Sequence, residues 1–262
     1  MPRLYPLFSG SSGNCYYIGS AGSGILIDAG RSAKQIENAL KENDLDIKNV
    51  RAVFVTHEHI DHVKGLRVLA SRHGLKVYAS EGTVEALREK DLINEKVDIM
   101  PIGFDGKETD DMKIRPFEIS HDCAQGFGFV VETSDGRKTA FATDTGYVTD
   151  SMSKAIRGCD TAVIESNHDV RMLENGLYPY LLKRRILSDI GHLSNDVCAE
   201  TVTALVKSGS TRFVLAHLSK ENNMPELARQ TSLCTLEQNG MKQNIDFMLT
   251  VAAESNNKPL IY

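Results

Sequence analysis

The chain has 262 residues, with 30 Lys and Arg against 35 Asp and Glu, 41% hydrophobic and 25% charged residues, and no Trp. A chain of this length buries roughly three-quarters of its unfolded surface, so it needs no disulfide staples, and 20 Gly with 7 Pro exclude a fibrous or disordered chain. The net charge of −5 gives no global pull toward nucleic acid or anionic membranes, so any phosphate-rich partner has to be held locally.

Cys15, Cys123, Cys159, Cys198 and Cys234 are odd in number and never closer than 36 residues, which fits neither a disulfide framework nor a CxxC zinc clip; reduced, mostly buried thiols are expected. The first 20 residues lack a basic start with an apolar run, and no stretch approaches the roughly 18 apolar residues of a membrane helix. A cytoplasmic location with no membrane partner is the expectation. No repeat or long Pro/Gly/Ser linker divides the chain, so one domain over 1–262 is expected.

In chain order, Leu4 to Phe8, Asn14 to Ile18 and Gly24 to Ile27 read as short strands. Ser32 with Gln35 forms a capping-box pattern, followed by Ile36 and Leu40 at helical spacing, which predicts a helix over about 32–42. Ala52 to Val55 reads as a buried strand, Val63, Leu66 and Leu69-Ala70 as a helix closed near Gly74, and Lys76 to Ala79 as the next strand. Ile114 to Ile119, the alternating Phe127/Phe129/Val131 and the run Thr139 to Ala142 predict antiparallel strands with a hairpin at Asp135-Gly136. Ala162 to Ile164 and Phe213 to Ala216 are again strands, with helices over 195–207 and 225–238. Two sheets with helices outside fit this α/β mixture.

The strongest chemical signal is Thr56-His57-Glu58-His59-Ile60-Asp61-His62, three imidazoles and two carboxylates in seven residues just after a buried strand. Neighbouring histidines do not share a core without partners, and His-x-His-x-Asp-His supplies nitrogen and oxygen ligands suited to zinc or manganese. A solvated His-rich turn is the alternative.

This motif resembles the HxHxDH signature of the metallo-β-lactamase superfamily of metal-dependent hydrolases, and the resemblance covers essentially the whole chain. It implies a four-layer αββα sandwich. Asp28 is similar to the first motif, an aspartate that braces the metal loop; His121, Asp144 and His217 are similar to the third, fourth and fifth. By that match His57, His59 and His121 hold one divalent ion, Asp61, His62 and His217 a second, and Asp144 bridges the pair. Two such ions, zinc or manganese, share a water activated as the nucleophile, with Asp61 counted also among the catalytic residues. No serine nucleophile is then needed, and Ser9-Gly10-Ser11-Ser12-Gly13 has no nearby His base.

His-x-His, where flavodiiron oxidoreductases have His-x-Glu, argues against oxygen reduction. Glu165 in Ile164-Glu165-Ser166-Asn167 and His192 in Gly191-His192-Leu193-Ser194 are similar to elements of the tRNA 3′-processing endonucleases, where a Glu–His pair serves the leaving oxygen. A surface carboxylate and a helix-start histidine remain the alternative reading. Phe8 to Asn14, with its hydroxyls and glycine amides and with Ser11 and Asn14 as the expected substrate contacts, has the composition of an anion-receiving loop or of an ordinary turn. Together with Glu-Ser-Asn-His-Asp, whose His168 is a further substrate contact, the loop resembles the YycJ/WalJ-like branch, which implies a 5′-to-3′ DNA exonuclease. DNA is thus implied by resemblance and not by composition. Tyr178 to Arg185 offers Lys183 and Arg184 to phosphate and tyrosines to an end base, unless it is a helix with a solvated face. A cyclic-phosphate diesterase acting on small phosphodiesters is the alternative enzyme, and a non-catalytic metal-binding regulatory partner the alternative class. Oligomeric state is not legible.

Overall fold

The computed structural model describes residues 3–20, 22–109, 111–255 and 260–261. These fall into two compact units, Met1–Pro116 with Cys123–Phe127 and Ala253–Tyr262, and Phe117–Asp122 with Gly128–Ala252.

In chain order the strands of the first sheet are β1 (Arg3–Phe8), β2 (Cys15–Gly19), β3 (Gly24–Ile27), β4 (Val50–Phe54), β5 (Lys76–Ala79), β6 (Ile99–Pro101) and, from the far end of the chain, β14 (Leu260–Ile261). Their order is β14-β1-β2-β3-β4-β5-β6. The meander β1-β2-β3 is antiparallel, and β3, β4 and β5 run parallel. Parallel neighbours need helical crossovers, supplied by α1 (Ala33–Glu42), α2 (Ile60–Val63) with α3 (Leu66–His73), and α4 (Glu81–Glu89). Apolar residues of the strands, among them Leu26, Val53 and Val77, pack with Ile36, Leu40, Leu66, Leu69 and Leu87 of the helices into one cluster.

The second sheet has β7 (Lys107–Thr109), β8 (Met112–Glu118), β9 (Phe127–Thr133), β10 (Lys138–Ala142), β11 (Thr161–Glu165), β12 (Arg212–Ala216) and β13 (Met248–Val251), ordered β13-β12-β11-β10-β9-β8-β7. Strands β10 to β13 are parallel, with α5 (Asp150–Ile156), then α6 (Val170–Asn175), α7 (Tyr180–Ile186) and α8 (Asn195–Lys207), then α9 (Pro225–Gln238), in the successive crossovers. Cys198, Val202, Leu205, Ala228 and Leu236 of α8 and α9 pack with Ile164, Phe213 and Leu215 of the strands in a second cluster.

Most expected elements are present. Ser32 accepts from the Gln35 amide and α1 starts one residue later, while β3, β5, α8 and α9 have the expected bounds. The β9–β10 hairpin turns at Asp135-Gly136, with Thr133 Oγ1 donating to Asp135 Oδ1 at 2.6 Å and Gly136 at φ 80°. The helix expected through Val63 and Leu69 is instead two pieces, broken at Lys64-Gly65, because the Gly65 amide donates to the Ala29 carbonyl at 2.9 Å. A Cβ at Gly65 would stand 2.1 Å from the Arg31 carbonyl, so the break is a close backbone approach that only glycine permits. Helices α4 to α6 and strands β6, β7, β13 and β14 are additions to the expected elements, and α7 falls on the Tyr178 to Arg185 segment, for which a helix is the alternative reading. Cys15, Cys159 and Cys198 are buried, Cys123 is half-buried and Cys234 exposed, all as free thiols. No described helix is long and apolar enough to cross a membrane.

Gly30 marks the tightest approach in the first unit: a Cβ there would lie 1.7 Å from the Asp61 carbonyl and 2.5 Å from the Asn14 amide. Backbone cannot yield as a side chain does, so Gly30→Ala is expected to destabilise the fold by at least about 1–3 kcal/mol. Urea denaturation of both proteins checks this; an unchanged midpoint contradicts it.

Candidate metal centre

In the first unit, the parallel pairing of β3 with β4 brings Asp28 and Thr56 together just past the strand ends, the place where open parallel sheets present their functional groups. Asp28 is fully buried and adopts φ 63°, a left-handed turn that Asp tolerates better than most residues. Its Oδ1 accepts from the Thr56 amide at 2.8 Å, and its Oδ2 lies 2.7 Å from His62 Nδ1. Burial raises the Asp28 pKa, against the lowering pull of His62 and the Thr56 hydrogen bonds. The Thr56 hydroxyl also reaches His57 Nδ1 at 3.0 Å and His62 Nδ1 at 3.2 Å. The His57 ring centroid is 4.6 Å from that of His59 and 4.2 Å from that of His62, and Asp61 Oδ2 is 3.5 Å from His62 Nε2. Glu58, the other carboxylate of the motif, is buried and accepts from Lys90 Nζ and the Ala124 amide, both at 3.1 Å; it stitches the loop to its surroundings.

In the second unit, strand register assembles the donors. Ala142 pairs with Ile164 and Glu165 with Ala216, so Thr143-Asp144, Glu165 and His217 emerge side by side at the ends of β10, β11 and β12. Donor atoms of Asp144, Glu165, His192 and His217 lie within 4.8 Å of one another. Asp144 Oδ1 is 3.4 Å from His217 Nδ1, 3.7 Å from His192 Nδ1 and 3.9 Å from His121 Nε2. His121 Nδ1 pairs with the Gly191 carbonyl at 3.0 Å.

Glu165 is fully buried and receives four hydrogen bonds. Its Oε1 is 2.8 Å from both His192 Nδ1 and His217 Nδ1, and its Oε2 accepts from the Thr145 amide at 2.9 Å and the Leu193 amide at 3.2 Å. Burial alone raises its pKa, but the His192 charge and the bonds from His192 and His217 outweigh it and bring the value to about 2. With its lone pairs committed to the chain's own N–H groups, Glu165 suits an orienting anion better than a metal ligand.

The donor chemistry fits divalent ions. Metal-binding imidazoles characteristically give their second nitrogen to a carboxylate, carbonyl or hydroxyl that fixes the ring, and His57, His62, His121 and His217 all have such a partner: Thr56, Asp28, Gly191 and Glu165. Imidazole with carboxylate is the ligand mixture of zinc and manganese sites.

The expected substrate contacts are placed differently from one another. Ser11 is exposed. Asn14 is fully buried, and its amide lies 3.2 Å from the Gly10 carbonyl, 3.1 Å from His62 Nε2 and 3.5 Å from Asp61 Oδ2, so it braces the donor loop and does not face solvent. The amides expected to receive an anion are spent locally, Gly10 on Asn14 Oδ1 and Gly13 on the Gly10 carbonyl. Lys183 Nζ donates to the Glu174 carbonyl at 2.8 Å, Arg184 is exposed, and Arg185 forms a two-pronged pair with Asp122 beside His121. The segment is therefore a short helix, α7, with a charged outer face. His168 is buried, and neither ring nitrogen has a hydrogen-bond partner among the described residues. Sequence reasoning missed Thr56, whose hydroxyl ties three site residues together, and Asn167, whose amide holds the His217 carbonyl at 2.9 Å.

A family model described as "Beta-lactamase superfamily domain" matches residues 24–218. The chain is 43% identical to Exodeoxyribonuclease YycJ of Bacillus anthracis over 236 residues, 89% of each protein. It is 38% identical to Exodeoxyribonuclease WalJ of Streptococcus pneumoniae over 261 residues, covering 97% of this chain and 95% of that one. Among solved structures, the metallo-β-lactamase fold protein YhfI of Bacillus subtilis superposes with a TM-score of 0.73 at 14% identity, covering 99% of this chain and 100% of that one. Zinc-bound PqqB of Methylobacterium extorquens gives 0.72 at 16% identity over the same shares. At such identities the structures share the fold alone, which is the metallo-β-lactamase fold of two sheets with helices.

His168 generates a pH dependence. Burial, the largest effect, lowers its pKa to about 4, so between its ordinary value near 6.5 and about 4 the unfolded chain binds a proton that the folded chain refuses. Stability contributed by neutral His168 is thus present above pH 6.5 and is lost as pH falls. In metal-free protein, the fall in unfolding free energy from pH 7 to 4.5 is expected to be smaller by about 2–3 kcal/mol in His168→Gln than in the parent. Urea melts at the two pH values measure it, and parallel losses would refute it.

Proposed function

The chain belongs to the β-lactamase superfamily, and from that premise we propose that it is a metal-dependent phosphodiesterase that removes nucleotides from DNA in the 5′-to-3′ direction, in the cytoplasm. The observation that carries the reading is the pair of histidine–carboxylate donor sets, with ring after ring fixed through its second nitrogen. The choice of DNA rests on the two exodeoxyribonucleases, which match 89% and 97% of the chain.

On this reading residues 1–262 act as one domain. His57, His59 and His121 would hold one divalent ion, zinc or manganese, Asp61, His62 and His217 would hold a second, and Asp144 would serve both sets. Such ions supply Lewis-acid activation of water and neutralise charge on the scissile phosphate. The remaining work is done by side chains. Asp61, whose side chain is 25% exposed, is the carboxylate of its loop that would accept the proton of an attacking water. Glu165 accepts a hydrogen bond from His192 Nδ1, so that when the ring carries both protons the Nε2 proton, on a ring 13% exposed, is the one available to the departing sugar oxygen. A sugar alkoxide leaves poorly unless protonated, and a positioned acid contributes about 10²–10⁴ in rate. Ser11, Lys183 and Arg184 meet the strand, and Tyr180, 71% exposed on α7, offers a face on which an end base stacks, while the expected contact His168 is buried and does not reach it. Asn14 acts one step back, by holding Asp61 and His62.

The test is degradation of end-labelled duplex and single-stranded DNA by protein loaded with manganese or zinc, alongside elemental analysis. Expected are two ions per chain, loss of activity with chelator and loss of most activity in Asp144→Ala. Turnover of cyclic nucleotides with no action on DNA would replace this reading with a small-phosphodiester one. His192→Ala is expected to slow DNA cleavage by on the order of 10²-fold while sparing most hydrolysis of an aryl phosphodiester, whose phenolate leaves without a proton. A proportional fall on both substrates, with metal content intact, would show that the imidazole is not the acid.

A further inference from the structure

Arg31 lies on the turn that follows Gly30, where the chain is pressed against the Asp61 backbone. Its Nη2 donates to Ser12 Oγ at 2.6 Å and to Glu254 Oε1 at 2.8 Å, and Ser12 Oγ donates to the same Glu254 oxygen at 2.6 Å. The guanidinium lies 5.5 Å from the centre of the Phe8 ring, which orients it without cancelling its charge. Its Nε is buried and has no hydrogen-bond partner among the described residues. Cation and hydroxyl thus converge on a carboxylate that enters from the distant residue 254, and all three groups belong to the first unit.

A carboxylate offers two oxygens and one charge, and this one presents a single oxygen to both donors. A terminal phosphate offers three oxygens and a charge between −1.5 and roughly −2 near neutral pH, and a guanidinium takes such a group through two parallel N–H bonds. Nη2 and Ser12 Oγ are two donors already aimed at the place where such an anion would sit. We propose that Arg31 and Ser12 form a seat for the 5′-terminal phosphate of a DNA strand, held in the free protein by the Glu254 carboxylate as an internal stand-in. This rests on the reading of the chain as an exonuclease, and gives it a means of recognising an end: an internal phosphodiester lacks the third free oxygen and the second charge. Glu254 is 52% exposed and Arg31 only 17%, so the carboxylate can swing out to water while the guanidinium stays in place for another anion. The seat is coupled to the donors through the backbone, since the Gly30 amide donates to the Asn14 carbonyl at 2.8 Å and the Asn14 amide to the Asp61 carbonyl at 2.7 Å.

The test is fluorescence anisotropy on metal-free protein, with a 3′-labelled single strand bearing either a 5′-phosphate or a 5′-hydroxyl. The parent is expected to bind the phosphorylated strand about tenfold more tightly. Arg31→Gln brings that strand down to the level of the hydroxyl strand, Ser12→Ala reduces the preference in part, and Glu254→Gln, which lacks the competing charge, enlarges it. Ser12→Ala and Glu254→Gln carry the test if Arg31→Gln does not fold. Equal binding of both strands by the parent, or a preference unchanged in all three variants, overturns the seat. Because nothing is cleaved, the result is separable from the exonuclease reading: an Arg31-dependent preference in a protein that degrades no DNA keeps the seat and removes the exonuclease. Degradation of DNA without any preference does the reverse.

Discussion

The second unit is organised around one buried anion. Glu165 closes β11 with no exposure, and an ionised carboxylate in that position is tolerable only if its oxygens are saturated with donors. Two come from the backbone, Thr145 and Leu193, and two from imidazoles, His192 and His217. The four donors stand on three connections, so satisfying one carboxylate fixes the loops after β10 and β12 and the turn before α8. The chemistry follows from this constraint: rings whose Nδ1 protons are committed to Glu165 present Nε2, one fixed tautomer, to whatever lies beyond. Asp28 performs the same service for His62 in the first unit with a single imidazole, and Thr56 extends it to His57.

Backbone conformation shows what this arrangement costs. Asp28, Asp144 and His217 all lie just past strand ends at φ 63°, 58° and 55°, in the left-handed region that non-glycine residues avoid. Such residues cost of order 1 kcal/mol or more, and least for Asp, whose short polar side chain is compatible with the turn. For His217 the strain is offset by local bonds, its Nδ1 to Glu165 and its carbonyl to the Asn167 amide. A chain leaving a strand in the ordinary conformation carries its side chain on toward the crossover helix; the left-handed step turns it back over the strand end. Three of the six described non-glycine residues in the left-handed region are thus proposed site residues, the others being Asp44, Asp91 and Asn244.

What the sequence disclosed and what it withheld differ by range. The cluster from His57 to His62 was legible because seven residues hold it, and β3, β5, α1, α8 and α9 because caps and periodicity are local signals. His121, Asp144, Glu165, His192 and His217 were legible only through family resemblance, since strand register, which no local pattern encodes, brings them together. Thr56 and Asn14 were misjudged or missed for a related reason. A threonine before a histidine and an asparagine in a glycine-rich turn have the composition of loop residues, and their roles depend on partners 28 and 48 positions away. Gly65 was read through as helix interior because its requirement is a carbonyl from another turn, invisible to periodicity.

The two glycine contacts, Gly30 against the Asp61 carbonyl and Gly65 against the Arg31 carbonyl, place residues 30 and 31 between the donor loop and the start of α3. Packing at that distance transmits displacement, since backbone has no rotamer to absorb it. The neighbouring Ser12, Arg31 and Glu254 are by contrast joined by hydrogen bonds at the surface, which exchange partners at little cost. A rigid strip of backbone thus connects an exchangeable charged cluster to Asp61 and His62. An acidic protein with no general attraction for phosphate needs such a local basic point: one guanidinium, oriented by Phe8 and kept from non-specific anions by its own Glu254, attracts a strongly charged group while a weakly charged one leaves the internal pair in place.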